Sequence, residues 1–176
     1  MPFSQELYKI FSILLVEHGS YTYIDKLAQS TSKDIALYHI REALRDYHSL
    51  INRGINYEEA KTVANSIDFL RLENEIKEIG ELSSLPSLRE RVSLLSSQAL
   101  AEAARIKSRV TYNIGKKIKD FLYEKGLKPE DIENFRKAIK DNLEKISESL
   151  GIDESTINEI ADNTSLLRHL IDKKEE

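Results

Sequence analysis

Residues 86 to 125 repeat their apolar side chains at the period of an α-helix over about forty positions. The repeat makes nine steps over 33 residues, about 3.67 residues per step, and Leu88, Ala99, Val110 and Phe121 recur at 11-residue intervals. A period this close to 3.6 predicts one very long helix, or two nearly collinear ones, straight or slightly right-handed rather than a left-handed coiled coil. The chain must therefore be assembled around this long element.

Helical spacing also dominates the rest of the chain, and no segment alternates convincingly with period two. We therefore expect seven or eight helices and no sheet. Five of the six glycines fall where these helices should end. One predicted helix is capped by Asn56 and Glu59 and leads toward Gly80, and another of about 20 residues runs from Pro129 to Gly151. The predicted fold class is all-α: a multi-helix bundle built around one long helix, with a small C-terminal helical appendage.

The charge distribution separates a basic middle from two acidic ends. Lys and Arg outnumber Asp and Glu by 9 to 4 over residues 83–126, whereas the acids lead by 13 to 9 over residues 1–82 and by 13 to 8 over residues 127–176. We place the domain boundary near residues 124–131, so that residues 1–126 form a helical bundle with the long basic helix. Residues 127–176 then form an acidic C-terminal helical segment.

Composition and motif searches favour a non-catalytic protein. The chain has no cysteine, which excludes disulfides and thiolate nucleophiles, and it has no apolar run near the roughly 18 residues of a membrane span. Its N-terminus does not resemble a secretory signal, so we expect a cytoplasmic protein without a membrane partner. Phosphate-binding loops and nucleophile elbows are absent, and the four histidines lack the spacing of a helical zinc site: His18, His39, His48 and His169. We therefore expect no catalytic residue, cofactor or metal ion.

The stretch from residue 143 to residue 162 has the spacing of a DNA-reading helix-turn-helix, with Gly151 at the turn. Its second helix, however, would present several carboxylates to the groove: Asp153, Glu154, Glu159 and Asp162. Carboxylates repel a polyanion, and non-specific affinity for DNA comes from Lys and Arg contacts to phosphate. A helical hairpin used for packing or for protein contacts is the favoured interpretation.

Residues 105–119 contain six cations and no acid. At 100° per residue, five side chains of this stretch fall within about 80° of one another and point away from the predicted core direction near 130°. These five form the basic stripe, which is the candidate nucleic-acid-binding site: Arg105, Arg109, Tyr112, Lys116 and Lys119. The stripe spans about 21 Å at the usual helical rise, which suits several phosphates.

Repulsion between neighbouring cations on one helix face costs a few tenths of a kcal/mol for each pair, and an anionic partner would offset it. That anion is the backbone of a nucleic acid, with Tyr112 as a stacking surface, or the acidic C-terminal segment of the same or a neighbouring chain. A solvated helix face without a partner is the remaining interpretation. Gly115 is the one weak point of the helix, and a hinge there would cost little.

Two segments carry a resemblance to a known family. They are GSYTYIDKLAQSTSKDIALYHIREALRDYHSLI at residues 19–51 and LRERVSLLSSQALAEAARIKSR at residues 88–109. A tyrosine-flanked IDKLA segment before a long amphipathic helix, and an Ala-rich helix that ends in cations, resemble the small subunit of archaeal type I-A CRISPR interference complexes. The resemblance implies a mostly helical, non-enzymatic subunit of a Cascade-like complex that lies beside the crRNA backbone subunits and helps hold the target or displaced strand during R-loop formation.

Three functions therefore compete. The leading hypothesis is a CRISPR small subunit, whose partners are the other subunits and the backbone of crRNA or target DNA. The second is a helix-turn-helix regulator that reads duplex DNA through residues 143–162. The third is a structural or coat protein that self-associates through its opposed charge blocks.

Overall fold

The computed structural model describes residues 6–19 and 21–172. These residues form ten helices and no strand, which confirms the predicted all-α class and the long helix. The helices are α1 Leu7–His18, α2 Thr22–Ala28, α3 Lys33–Arg53, α4 Glu58–Asn65, α5 Phe69–Gly80, α6 Leu85–Glu124, α7 Ile132–Asp141, α8 Leu143–Leu150, α9 Glu154–Ala161 and α10 Thr164–Asp172. Within the described ranges, no helix combines the length and the apolar character that crossing a membrane requires.

The first compact unit, residues 1–108, contains α1 to α5 and the first part of α6. Helix α1 is buried on most of its circumference, and its N-terminus is closed by a side chain from α5. The carboxylate of Glu75 accepts hydrogen bonds from the backbone N–H of Glu6 and of Leu7, both at 2.8 Å. Because the first N–H groups of a helix have no partner inside the helix, this buried carboxylate joins α5 to the start of α1.

Helix α3 is bounded by local signals that are visible in the sequence. The hydroxyl of Ser32 accepts a hydrogen bond from the N–H of Ile35 at 3.3 Å, which is the usual role of a serine N-cap. The helix ends at Gly54, whose φ of 97° is rarely adopted by residues with a side chain. Its buried side chains recur on one face of the helix at helical spacing: Ala36, Leu37, Ile40, Ala43, Tyr47 and Leu50.

The predicted helix from Asn56 to Gly80 is two helices, so this prediction was wrong. The chain leaves α4 after Asn65, and α5 begins with Asp68 as its N-cap, accepting from the N–H of Arg71 at 3.2 Å. The break between α4 and α5 is stabilised by a residue that precedes α1, because the N–H of Asp68 donates to the Glu6 carboxylate at 2.8 Å. A contact between residues 62 positions apart is not readable from apolar spacing.

The second compact unit, residues 109–176, contains the rest of α6 and helices α7 to α10. Its core joins apolar side chains of α6 to those of the four short helices: Ile118, Phe121, Leu122, Phe135, Ile139, Ile146, Ile157, Ile160, Ala161, Leu167 and Leu170. Gly115 is buried and faces α10, since a Cβ added there would lie 2.8 Å from Cδ1 of Leu170. Helix α6 is continuous through this residue, so Gly115 provides close helix packing.

The predicted 20-residue helix from Pro129 to Gly151 is also divided. Helix α7 begins after its N-cap Asp131, and Asn142 separates it from α8 with φ −116° and ψ 20°. The side-chain amide of Asn142 donates to the carbonyl oxygen of Ala138 at 2.8 Å. Asparagine side chains compete in this way with the helical backbone, so the break is local chemistry that apolar periodicity does not report.

The compact units divide inside α6, between Ser108 and Arg109, whereas the sequence suggested a boundary near residues 124–131. The end of α6 carries Ile118, Phe121 and Leu122, all buried in the core of the second unit. A helix that contributes to two cores has no loop, glycine or proline at the point of division. Composition therefore indicated the nearest turn instead.

Candidate nucleic-acid interface

Arg105 is the one member of the basic stripe that lies in the first unit. Its side chain is 60% exposed, but its guanidinium forms an ion pair with the nearly buried carboxylate of Glu102, one turn earlier on α6. The hydrogen bond that Arg105 donates to the Glu102 carboxylate, together with the negative charge of that carboxylate, raises the pKa of Arg105 above its ordinary value. Glu102 lies three residues before the acid-free stretch 105–119, so the charge pattern of that stretch did not include it. The ion pair leaves Arg105 partly neutralised.

Arg109 and Lys116 are the stripe cations that remain available. Both are exposed on α6 of the second unit, and neither forms an ion pair with any residue that the structure describes. They lie about 10 Å apart along the helix at the usual rise of 1.5 Å per residue. Asp120, one turn after Lys116, is also exposed, so the acid-free stretch ends just beyond the stripe.

Tyr112 is half-buried against α10. Its ring centroid lies 5.4 Å from that of His169, with an angle of 58° between the ring planes. One side of the phenol ring is therefore occupied by protein, which leaves less of it for stacking on a base than the sequence suggested. His169 was not among the predicted site residues, because only the packing of α10 on α6 brings it to the stripe.

Lys119 is not part of an exposed stripe, and this prediction was wrong. The residue is only 7% exposed, and its Nζ donates to the carbonyl oxygen of Leu170 at 2.8 Å. Leu170 lies in the last turn of α10, where carbonyl groups have no partner inside the helix. The ammonium also lies 5.3 Å from the ring centroid of Tyr123. Lys119 therefore stabilises the second unit and is not accessible to a phosphate chain.

The direction of the buried face explains this error. Over the whole length of α6, the apolar positions centre near 130° from Arg105 at 100° per residue. In the second unit, the buried positions of α6 centre instead near 250° at 100° per residue: Gly115, Ile118, Lys119, Phe121 and Leu122. Lys119 lies at the edge of that face, whereas Arg109 and Lys116 lie well outside it.

The segment with helix-turn-helix spacing does form two helices around a turn. Helices α8 and α9 are joined through Gly151, which has φ 67°, and the hydroxyl of Ser147 donates to the carbonyl oxygen of Ile152 at 2.7 Å. Ile146 and Ile157 are buried between them. The exposed positions of α9 include Glu154 and Glu159, so the surface of the second helix is acidic.

No family model and no solved structure matches the chain. A protein of the archaeon Archaeoglobus fulgidus, described only as an uncharacterized protein, is 40% identical over 101 residues, which cover 57% of this chain and 87% of the relative. The chain belongs to the same family as this protein. Since 101 matched residues exceed the length of the second unit, residues 109–176, the family likeness includes part of the first unit.

Proposed function

We propose that the chain binds the phosphate backbone of a nucleic acid, without sequence preference, through Arg109 and Lys116. The observation that supports the proposal is their exposure on one side of α6, with no ion pair to a described residue. Cations of this kind supply the non-specific part of nucleic-acid affinity, because each phosphate contact releases condensed counterions. The proposed protein is non-catalytic.

Two exposed cations predict weak binding by the isolated chain. Five phosphate contacts to a single strand would give a log–log salt slope near −3.5, whereas the two available cations give a slope near −1.4, at about −0.7 for each contact. Weak, sequence-independent contact is useful to a protein that other subunits hold beside a nucleic acid, since tethering raises the effective concentration.

The more specific proposal is a small subunit of a CRISPR interference complex. It rests on the resemblance of residues 19–51 and 88–109, and it makes the target or displaced strand of an R-loop the bound nucleic acid. The other subunits of such a complex and its crRNA are then the proposed partners.

The test is fluorescence anisotropy of labelled single-stranded DNA, duplex DNA and RNA across a salt series. The native chain is compared with the double variant Arg109→Glu, Lys116→Glu. We expect salt-sensitive binding that the double variant loses. The matched control is Lys137→Glu, Lys145→Glu, which makes the same change of charge at two exposed positions of α7 and α8 and should preserve binding.

Three outcomes contradict the proposal. Equal loss of binding in both double variants would show that net charge, rather than this pair of residues, governs the interaction. Tight binding to one duplex sequence would favour the helix-turn-helix of α8 and α9. No binding at low salt, together with self-association of the chain, would favour the structural protein. Circular dichroism of each variant confirms that it remains folded.

A further inference from the structure

The first unit contains a cavity that the basic stripe does not use. Its volume is about 290 Å³, and it lies between the α2 segment and the first part of α6. The lower end of the range for small-molecule sites is about 300 Å³, so the cavity suits a ligand of modest size. All of its lining residues belong to the first unit.

The lining of this cavity is mainly apolar. It is formed by Ile24, Leu27 and Ala28 from α2 and by Leu88, Val92 and Leu100 from α6. Leu100 is 40% exposed, so one wall of the cavity reaches the surface. Apolar walls that are open to solvent favour the hydrocarbon part of a ligand, because its burial removes apolar surface from water.

A cation and a row of hydroxyl groups complete the lining. Arg89 is exposed, lines the cavity, and makes no ion pair with any residue in the described ranges. Arginine presents a planar set of N–H donors that matches a carboxylate in two parallel hydrogen bonds. Ser93 and Ser97 add exposed hydroxyl groups on the same helix.

Ser96 supplies an independent observation at the same place. Its Oγ is buried and has no hydrogen-bond partner among the described residues, although Ser96 lines the cavity. Buried polar atoms in proteins are nearly always hydrogen-bonded, and an unpaired one requires an explanation. Rotation of the Ser96 side chain about its Cα–Cβ bond would direct the hydroxyl toward a polar ligand atom in the cavity.

We propose that this cavity binds a small amphipathic monocarboxylate, with its apolar tail between α2 and α6 and its carboxylate on Arg89. The apolar walls select the tail, and the single unpaired cation selects the sign of the charge. The site goes beyond the proposed nucleic-acid contact and shares no residue with it, so either proposal can fail while the other stands.

The probe is octanoate, followed by ¹H–¹⁵N NMR titration of the full chain. We expect saturable one-to-one binding with shift changes in α2 and in residues 88–100 of α6. Octan-1-ol has the same tail without the charge and should bind about tenfold more weakly, since a charge-assisted hydrogen bond is lost. Octylammonium, which places a cation beside Arg89, should bind more weakly still.

Arg89→Gln should weaken octanoate binding about tenfold and leave octan-1-ol binding unchanged, because only the carboxylate contacts the guanidinium. Lys107→Gln, which removes another exposed cation of α6 outside the cavity, is the matched control and should alter neither. Ala28→Phe, at an exposed position on the cavity wall, should block both ligands.

Absence of saturable octanoate binding would overturn the proposal. So would equal affinities for octanoate and octan-1-ol with no effect of Arg89→Gln, which would indicate an uncharged apolar occupant such as a side chain of a partner protein. Because Arg89 is exposed, its substitution should not prevent folding, and the comparison of the two ligands within each variant remains informative.

Discussion

Glu75 and Lys119 are both charged and nearly buried, at 5% and 7% exposure, yet they stabilise opposite ends of helices. In the first unit, the carboxylate of Glu75 accepts from the first N–H groups of α1. In the second unit, the ammonium of Lys119 donates to a last-turn carbonyl of α10. Each charge faces the end of the helix whose partial charge is opposite to its own.

Sequence position alone does not decide whether a charged side chain is buried and structural or exposed and available for binding. Lys116 and Lys119 are one turn apart on the same helix, but only Lys116 is exposed. They differ because Lys119 lies beside the C-terminal end of α10, whose last carbonyl groups need hydrogen-bond donors. Buried charges are costly unless they are hydrogen-bonded. Glu75 and Lys119 are each buried where backbone groups at a helix end need a hydrogen-bond partner.

The largest effect is expected from Glu75→Gln. The amide retains the volume but replaces one acceptor oxygen with a donor that faces a backbone N–H, so we expect a loss of about 3 kcal/mol in the free energy of unfolding. Urea unfolding measures the loss, and hydrogen exchange should show it in α1. Glu73→Gln, an exposed change on the same helix, is the control and should have almost no effect.

Lys119→Met should have a smaller effect, about 1 to 2 kcal/mol, because methionine still fills the apolar surroundings of the lysine stem. The loss should appear as faster hydrogen exchange in α10. Lys116→Met provides the control at an exposed position and should leave exchange unchanged. A cost that exceeds that of Glu75→Gln would contradict the ranking of the two helix ends.

The smallest effect concerns a tyrosine of the first unit. Burial raises the pKa of Tyr23, and so do the charge of Asp46 and the hydrogen bond of 3.1 Å from the Tyr23 hydroxyl to its carboxylate. The unfolded chain loses this proton near pH 10.0, whereas the folded chain keeps it, so this contribution to stability falls as the pH rises through the folded pKa.

Tyr23→Phe should therefore reduce the fall in stability above about pH 10, as measured by urea unfolding at about pH 9, 10 and 11. Tyr21→Phe removes an exposed tyrosine two residues away and is the control for the substitution itself. An unchanged dependence on pH in the Tyr23 variant would show that the phenol is free to ionise in the folded chain.

Apolar periodicity and the glycines at helix ends predicted much of the fold. The all-α class and the long helix are confirmed, and α3 ends before Gly54, one of the five glycines that were expected at helix ends. The two helices predicted as continuous are broken for reasons outside the periodic pattern. One break depends on the distant carboxylate of Glu6, and the other on the side-chain amide of Asn142.

The candidate site was less predictable because exposure depends on which side of α6 each unit covers. The helical angles predicted correctly that Arg109 and Lys116 lie on an exposed side of α6. Their contact with nucleic acid remains a prediction. The same angles wrongly predicted that Lys119 is exposed, since the carbonyl of Leu170 that accepts its hydrogen bond lies 51 residues away in the chain. The ion pair between Arg105 and Glu102 was also not predicted, because Glu102 lies outside the acid-free stretch that defines the stripe.

The division of the compact units inside α6 has a practical consequence for dissecting the chain. A cut between Ser108 and Arg109 falls within a helix of 40 residues and would leave up to four carbonyls on one fragment and four N–H groups on the other without partners. Fragments designed at this point should fray at the new ends. Overlapping fragments that each retain several extra turns of α6 are the better expression targets. Each fragment then keeps the intrahelical hydrogen bonds of the part of α6 that packs in its own unit.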